Sequence, residues 1–162
     1  KKHLLLLPGG FRLAGFLLII AGTILGVIRF RLGLKPQFFD MKPFAIYSNY
    51  IEPKIMQFIG NNMSEEFVGA FLLCGLFMVA FSRDKIETEE KAQTRNNAFY
   101  YSAYMLLFTL LLLLFFTYGF GFVYVTFIFT ALPFLYFIVI YRSILFYQKY
   151  AKRQKERHDL SK

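Results

Sequence analysis

Apolar residues along this chain come in long unbroken blocks rather than at amphipathic spacing. From Asn96 to Tyr141, 46 consecutive residues contain no Asp, Glu, Lys, Arg or His. On a soluble domain such a run would form a continuous apolar surface. A bilayer takes roughly 20 apolar residues per helical span, so the run is long enough for two. The Gly119-Phe120-Gly121 tripeptide near its middle is the natural break, predicting helices over 96–118 and 122–147. Pro133 falls inside the second of these and predicts a kink. Two further blocks predict helices over 11–29, bounded by Arg12 and Arg29, and over 64–82. Asn62, with Glu65 after it, reads as the N-terminal cap of the latter. Tyr100, Tyr101 and Tyr104, and then Tyr141, Tyr147 and Tyr150, gather where these helices would meet the two interfaces. The pattern predicts an all-α integral membrane protein, a bundle of four transmembrane helices within residues 1–147, followed by a basic tail over 148–162.

Between the first two helices the pattern changes. Pro36, Pro43 and Pro53 prevent one long helix, yet apolar residues such as Phe38, Phe39, Phe44, Ile46 and Phe58 recur throughout. The segment is too apolar to float free and too broken to span. Pro53 suits the first turn of a short helix over 53–60. The whole loop is expected to lie on the membrane surface or fold back on the helices, with a docking surface for a partner as the alternative.

Composition sharpens the picture. Hydrophobic residues make up 57% of the 162 and charged residues only 18%, against about 25% in ordinary globular chains. The net charge of +9 could suggest nucleic acid, but its distribution argues against that partner. With four spans, the N-terminus, the second-to-third loop and the C-terminal tail share one side and hold fourteen lysines and arginines. The opposite side holds five. This bias places both termini in the cytoplasm. Cys74 is the single cysteine, so no disulfide forms within the chain.

Candidate chemistry is sparse. Ionisable groups within a span mark functional sites by default, and the centres of the four expected helices carry none. His3 and His158 lie near opposite ends of the chain, and no nucleophile–histidine–acid set or phosphate-binding loop occurs. No catalytic residue, metal ligand or cofactor is expected. Packing signals are more evident. Gly22 and Gly26 form a G-x-x-x-G, and Gly69, Ala70 and Cys74 make a small-residue face on the second helix. Arg83, Lys85, Glu87 and Glu90 lie in a mixed-charge loop suited to contacting a protein. Lys149, Lys152 and Arg153 form a juxtamembrane cluster suited to anionic lipid.

The residues Leu6-Leu7-Pro8, Phe11-Arg12, Gly15 and Ile24-Leu25-Gly26 carry a resemblance, with Ala80-Phe81-Ser82-Arg83-Asp84-Lys85-Ile86-Glu87, Glu89, Glu90 and Arg95 after them. Together they resemble an uncharacterised family of small membrane proteins from Bacteroidetes-type bacteria, from the first helix to the fourth. The Phe-rich third and fourth helices and the long basic tail depart from that pattern. The resemblance implies a four-helix inner-membrane protein and brings no activity, substrate or site residue. The expected function is a non-catalytic structural or accessory subunit of the bacterial inner membrane, in contact with other membrane proteins or with itself. A membrane-embedded sensor or regulator, or a transporter or channel component, are the alternatives.

Overall fold

Lipid-like blocks of sequence become helix because a helix satisfies every backbone polar group internally. In the computed structural model, which describes residues 6–49, 53–84, 86, 88–116 and 120–160, four helices carry most of the chain. They are α1 (Phe11–Gly26), α2 (Ser64–Phe81), α3 (Glu89–Phe116) and α4 (Phe120–Leu160). Among the described residues three stretches are long and apolar enough to cross a membrane: Phe11–Arg31, Ser64–Phe81 and Ile128–Lys155. The Gly119 break falls outside the described residues. The chain forms two compact units, Lys1–Phe16 with Gly75–Lys162, and Leu17–Cys74.

In the first unit α3 and α4 run antiparallel, with Thr109 meeting Tyr136 at 2.8 Å and Gln148 donating to Thr94 at 3.1 Å. Ala80, Ala98, Phe137 and Tyr141 form the buried core. Phe81 stacks on Phe137 at 5.8 Å and Phe137 on Tyr141 at 5.9 Å. The latter two stand one turn apart on α4, where i and i+4 side chains share a face. The N-terminal part of α1 lies very close to the end of α2. A Cβ built on Gly15 would fall 2.7 Å from the Gly75 carbonyl oxygen and 2.9 Å from Val79 Cγ2.

The expected helix bounds move in two places. α3 starts seven residues before 96, because Thr88 caps it and Glu89 and Glu90 suit the positive end of its dipole. α4 continues to Leu160 instead of stopping near 147, so the tail is no separate segment. Its Gln, Lys, Ala, Arg and Glu residues favour helix, and no Gly or Pro interrupts them.

The second unit corrects the all-α expectation. Residues expected to form a short helix over 53–60 form strand β3 (Pro53–Phe58), antiparallel to β2 (Phe44–Asn49). A second pair, β1 (Asp40–Met41) with β4 (Asn61–Asn62), continues the same register. The Ile59 N–H bond to Pro43 joins the pairs into one two-stranded ribbon, and the Met63 N–H bond to Phe39 continues it past β1 and β4. An eight-residue helix is marginal in isolation, whereas proline is tolerated as the first residue of a strand. At the foot of the ribbon Asn62 accepts from the Ser64 N–H and hydroxyl at 3.3 and 2.6 Å, capping α2. Within this unit Gly22 of α1 faces Phe71 and Leu72, and Gly26 faces Val68. Val27–Arg31 extends α1 as a π-helical turn, and Arg29 pairs with Glu65.

Candidate functional site

The densest polar chemistry of the first unit lies where Arg12, Ser82, Asp84, Arg95, Tyr141 and Arg142 meet. Local sequence explains how each arrives there. The Pro8-Gly9-Gly10 turn opens α1, with the Phe11 and Arg12 N–H groups bonded to Pro8 and Gly9. This puts Arg12 in the first turn of the helix. Just before it, Leu7 pairs in parallel with Ser82, its N–H bonding the Phe81 carbonyl while the Arg83 N–H returns to Leu7, both at 2.9 Å. That two-bond clasp fixes the chain at the end of α2 and turns Asp84 inward.

Asp84 is 9% exposed at its side chain and gathers three cations. Arg12 Nη2 donates to Oδ1 at 2.7 Å, Arg95 Nη2 lies 3.8 Å from Oδ2, and Arg142 Nη1 lies 4.0 Å from Oδ1. The Tyr141 hydroxyl donates to Oδ2 at 2.6 Å. Arg95 is 3% exposed, and its guanidinium lies 4.9 Å from the Tyr141 ring centroid, donating to the Tyr141 hydroxyl at 3.3 Å and the Ser82 carbonyl at 3.4 Å. Arg12 also donates to Ser82 Oγ at 3.1 Å and to the Ser82 and Arg83 carbonyls. Burial alone would push the Asp84 carboxyl up. The hydrogen bonds from Tyr141 and Arg12 and the charges of Arg12 and Arg142 outweigh it and hold the group below its ordinary value.

Chemically this is a clamp. An ionised carboxylate that already accepts short bonds from a tyrosine and an arginine has little basicity to offer near neutral pH. Its geometry instead ties the start of α1, the end of α2, the start of α3 and the middle of α4 to one group. Among the described residues no three His, Cys, Asp or Glu side chains come together as metal ligands.

The residues singled out from sequence fall elsewhere. Arg83 is exposed and contributes its carbonyl to Arg12. Glu90 is exposed, and its carbonyl accepts from Thr94. Lys85 and Glu87 lie outside the described residues. Lys149, Lys152 and Arg153 are exposed along α4. Gly22 and Gly26 stand at the contacts given above. Gly69 has open space where a Cβ would point, and Ala70 and Cys74 are exposed. The small-residue face of α2 is therefore turned away, and Val68, Phe71 and Leu72 meet α1 instead.

Sequence reasoning did not assemble the clamp. Arg12 reads as a snorkelling end residue, and Asp84 and Arg95 as members of a solvated loop. The available signal lay in the expected topology: four alternating spans would put Arg12, Asp84, Arg95 and Arg142 on one side, and one acid with three arginines there invites pairing.

The ribbon is the other distinctive surface, within the second unit. Phe44 and Phe58 sit opposite one another in the register, and with Ile46 and Met56, whose φ of 52° interrupts the regular pairing, they are 51–72% exposed. The Phe44 and Phe58 rings pack edge to face at 5.3 Å. Ribbon bonds run through the odd-numbered residues, as at Pro43–Ile59 and Phe39–Met63. The N–H groups of Phe44 and Ile46 therefore point away from the partner strand. Comparison with protein-family models, curated proteins and solved structures finds no match to this chain.

Proposed function

We propose that this is a four-span, non-catalytic protein of a bacterial inner membrane, with both termini cytoplasmic, acting as an accessory subunit that binds another membrane protein. Three stretches apolar enough to span support insertion. The fourth span is assigned to α3, a 28-residue helix whose sequence from Asn96 onward is uncharged. The clamp agrees with this arrangement, because it joins the start of α1, the end of α2 and the start of α3, which alternating spans bring to one side, to α4 where its uncharged run ends at Tyr141.

The observation that carries the accessory role is the ribbon. A two-stranded ribbon is marginal on its own, and this one exposes apolar side chains beside N–H groups that point away from the partner strand. Such a surface suits a protein that adds strands or covers those side chains. Photo-crosslinking residues placed at Ile46 and Met56 test the reading, with Phe108, exposed on α3, as the bilayer control. The expected result is one discrete polypeptide adduct from Ile46 and Met56, and lipid adducts from Phe108. Lipid adducts alone from all three positions would contradict it.

A further inference from the structure

The clamp has more positive charge than it uses. Arg12, Arg95 and Arg142 converge on one carboxylate. Arg95 is consumed inside, between Asp84, Tyr141 and the Ser82 carbonyl. Arg12 takes the short bond to Asp84. Among the described residues Arg142 has one ion-pair contact, the 4.0 Å approach to a carboxylate already shared, and its side chain is 48% exposed. A guanidinium carries five donors in a planar fork suited to phosphate, so this group is under-used and outward-facing.

Its surroundings describe the anion that would suit it. A small cleft of about 10 Å³ lies beside Arg142 and Arg12, with Ser82 and Tyr141 among its polar lining and Val79 and Ile138 among its apolar walls. It is large enough for one oxygen-sized group, so a phosphate would rest at its mouth. Towards the start of α4, Leu135, Ile138 and Val139 precede Arg142 by seven, four and three residues and form one apolar stripe. Leu135 and Val139 are 41% and 61% exposed. In the other direction Lys149 and Arg153 follow at seven and eleven residues, continuing a basic stripe on the same face. One helix face thus passes from apolar, through a surplus arginine, to basic. A free phosphate would use only the middle of it.

We propose that Arg142, with Arg12 beside it, binds the phosphate of an anionic phospholipid whose acyl chain lies along Leu135, Ile138 and Val139. The site rests on the membrane reading above. Lys149 and Arg153 raise the local concentration of anionic headgroups, while Arg142 holds one of them.

Native mass spectrometry of the full chain in mild detergent tests this, with phosphatidylglycerol, phosphatidylcholine and soluble glycerol phosphate as probes. One phosphatidylglycerol should bind more tightly than phosphatidylcholine, whose choline cation offsets the phosphate charge and is repelled by the neighbouring basic residues. Arg142→Gln should remove that preference, and Arg142→Lys should keep part of it. Arg142→Gln is half-exposed ground and should melt within a few degrees of the parent; if it unfolds, the Arg142→Lys comparison decides, since equal affinity with the parent would overturn the forked contact. Phosphatidylglycerol binding unchanged in Arg142→Gln would overturn the site. Glycerol phosphate competing as well as the lipid would overturn the lipid as its source. Carbonate extraction of cell membranes separates this outcome from the other: a chain that resists extraction yet shows no Arg142 dependence refutes the site alone, whereas an extractable chain refutes the membrane reading.

Discussion

Removing the Asp84 carboxylate should destabilise the protein through Arg95 more than through any other partner. In Asp84→Ala the guanidinium of Arg95, 4% exposed at its side chain, keeps its charge and loses the Asp84 carboxylate. Leaving one member of a buried pair costs about 3–5 kcal/mol. Arg12 and Arg142 are 24% and 48% exposed and can rehydrate, so the lower end, about 3 kcal/mol, is expected. Arg95→Met removes the buried cation and its contact with the Tyr141 ring but leaves Asp84 paired with Arg12; its expected cost is about 2 kcal/mol. The double variant has no orphaned charge and should cost about 3 kcal/mol rather than the sum, giving a coupling of about 2 kcal/mol. Arg142→Gln, a half-exposed pair at 4.0 Å, should cost under about 1 kcal/mol. Reversible unfolding in mixed micelles, followed by circular dichroism, measures all four. Additive single changes, or a cost below about 0.5 kcal/mol for Asp84→Ala, would refute the clamp as the point that ties the helices together.

Two further outcomes follow from the same geometry. Gly15→Ile should lower the melting temperature most, because its Cβ would meet the Gly75 carbonyl at 2.7 Å; Gly26→Ile, facing Val68 Cγ1 at 3.4 Å, should have a smaller effect, and Gly69→Ile, with nothing within 4 Å, should be nearly silent. Acid should act through Asp84 in a defined window. Its carboxyl is held below the ordinary 3.8, so its contribution to stability is complete above about pH 4 and is lost as pH falls through the lowered native value. The stability gap between the parent and Asp84→Asn should stay constant from about pH 7 to 5 and close below about 4. A gap that closes already between pH 7 and 5 would show that the Asp84 carboxyl takes up its proton there, above its ordinary value, and would contradict the clamp's hold on the ionised form.

The helices were legible because their apolar sequence is uninterrupted and long; 64–82 and 11–29 show this within a few residues of their ends. α3 and α4 ran longer than expected at their polar ends, where the hydrophobic signal stops but caps and helix-forming residues continue. The ribbon was not legible. Its apolar residues looked like a broken interfacial segment, and nothing local tells Phe44 to face Phe58, fourteen residues further along the chain. That choice belongs to long-range pairing. The clamp was hidden for a related reason: Asp84 and Arg95 are eleven residues apart in a stretch of mixed charge, and only the Leu7–Ser82 clasp and the placement of Tyr141 on α4 turn them inward. Gly15 illustrates the limit in another way. The G-x-x-x-G pair drew attention to Gly22 and Gly26, yet the closest backbone approach is at Gly15, which pairs with a glycine on another helix rather than on its own.

The central claim is that α3 completes a fourth span, and the ribbon and the α4 tail report on it directly because three spans then lie between them. In a Cys74→Ser background, Ser48→Cys and Gln154→Cys can be labelled in intact cells with a membrane-impermeant maleimide and again after permeabilisation. The account predicts that Ser48→Cys reacts in intact cells and Gln154→Cys only once the membrane is opened. Both positions reacting from the same side would mean that α3 does not cross, and would contradict it.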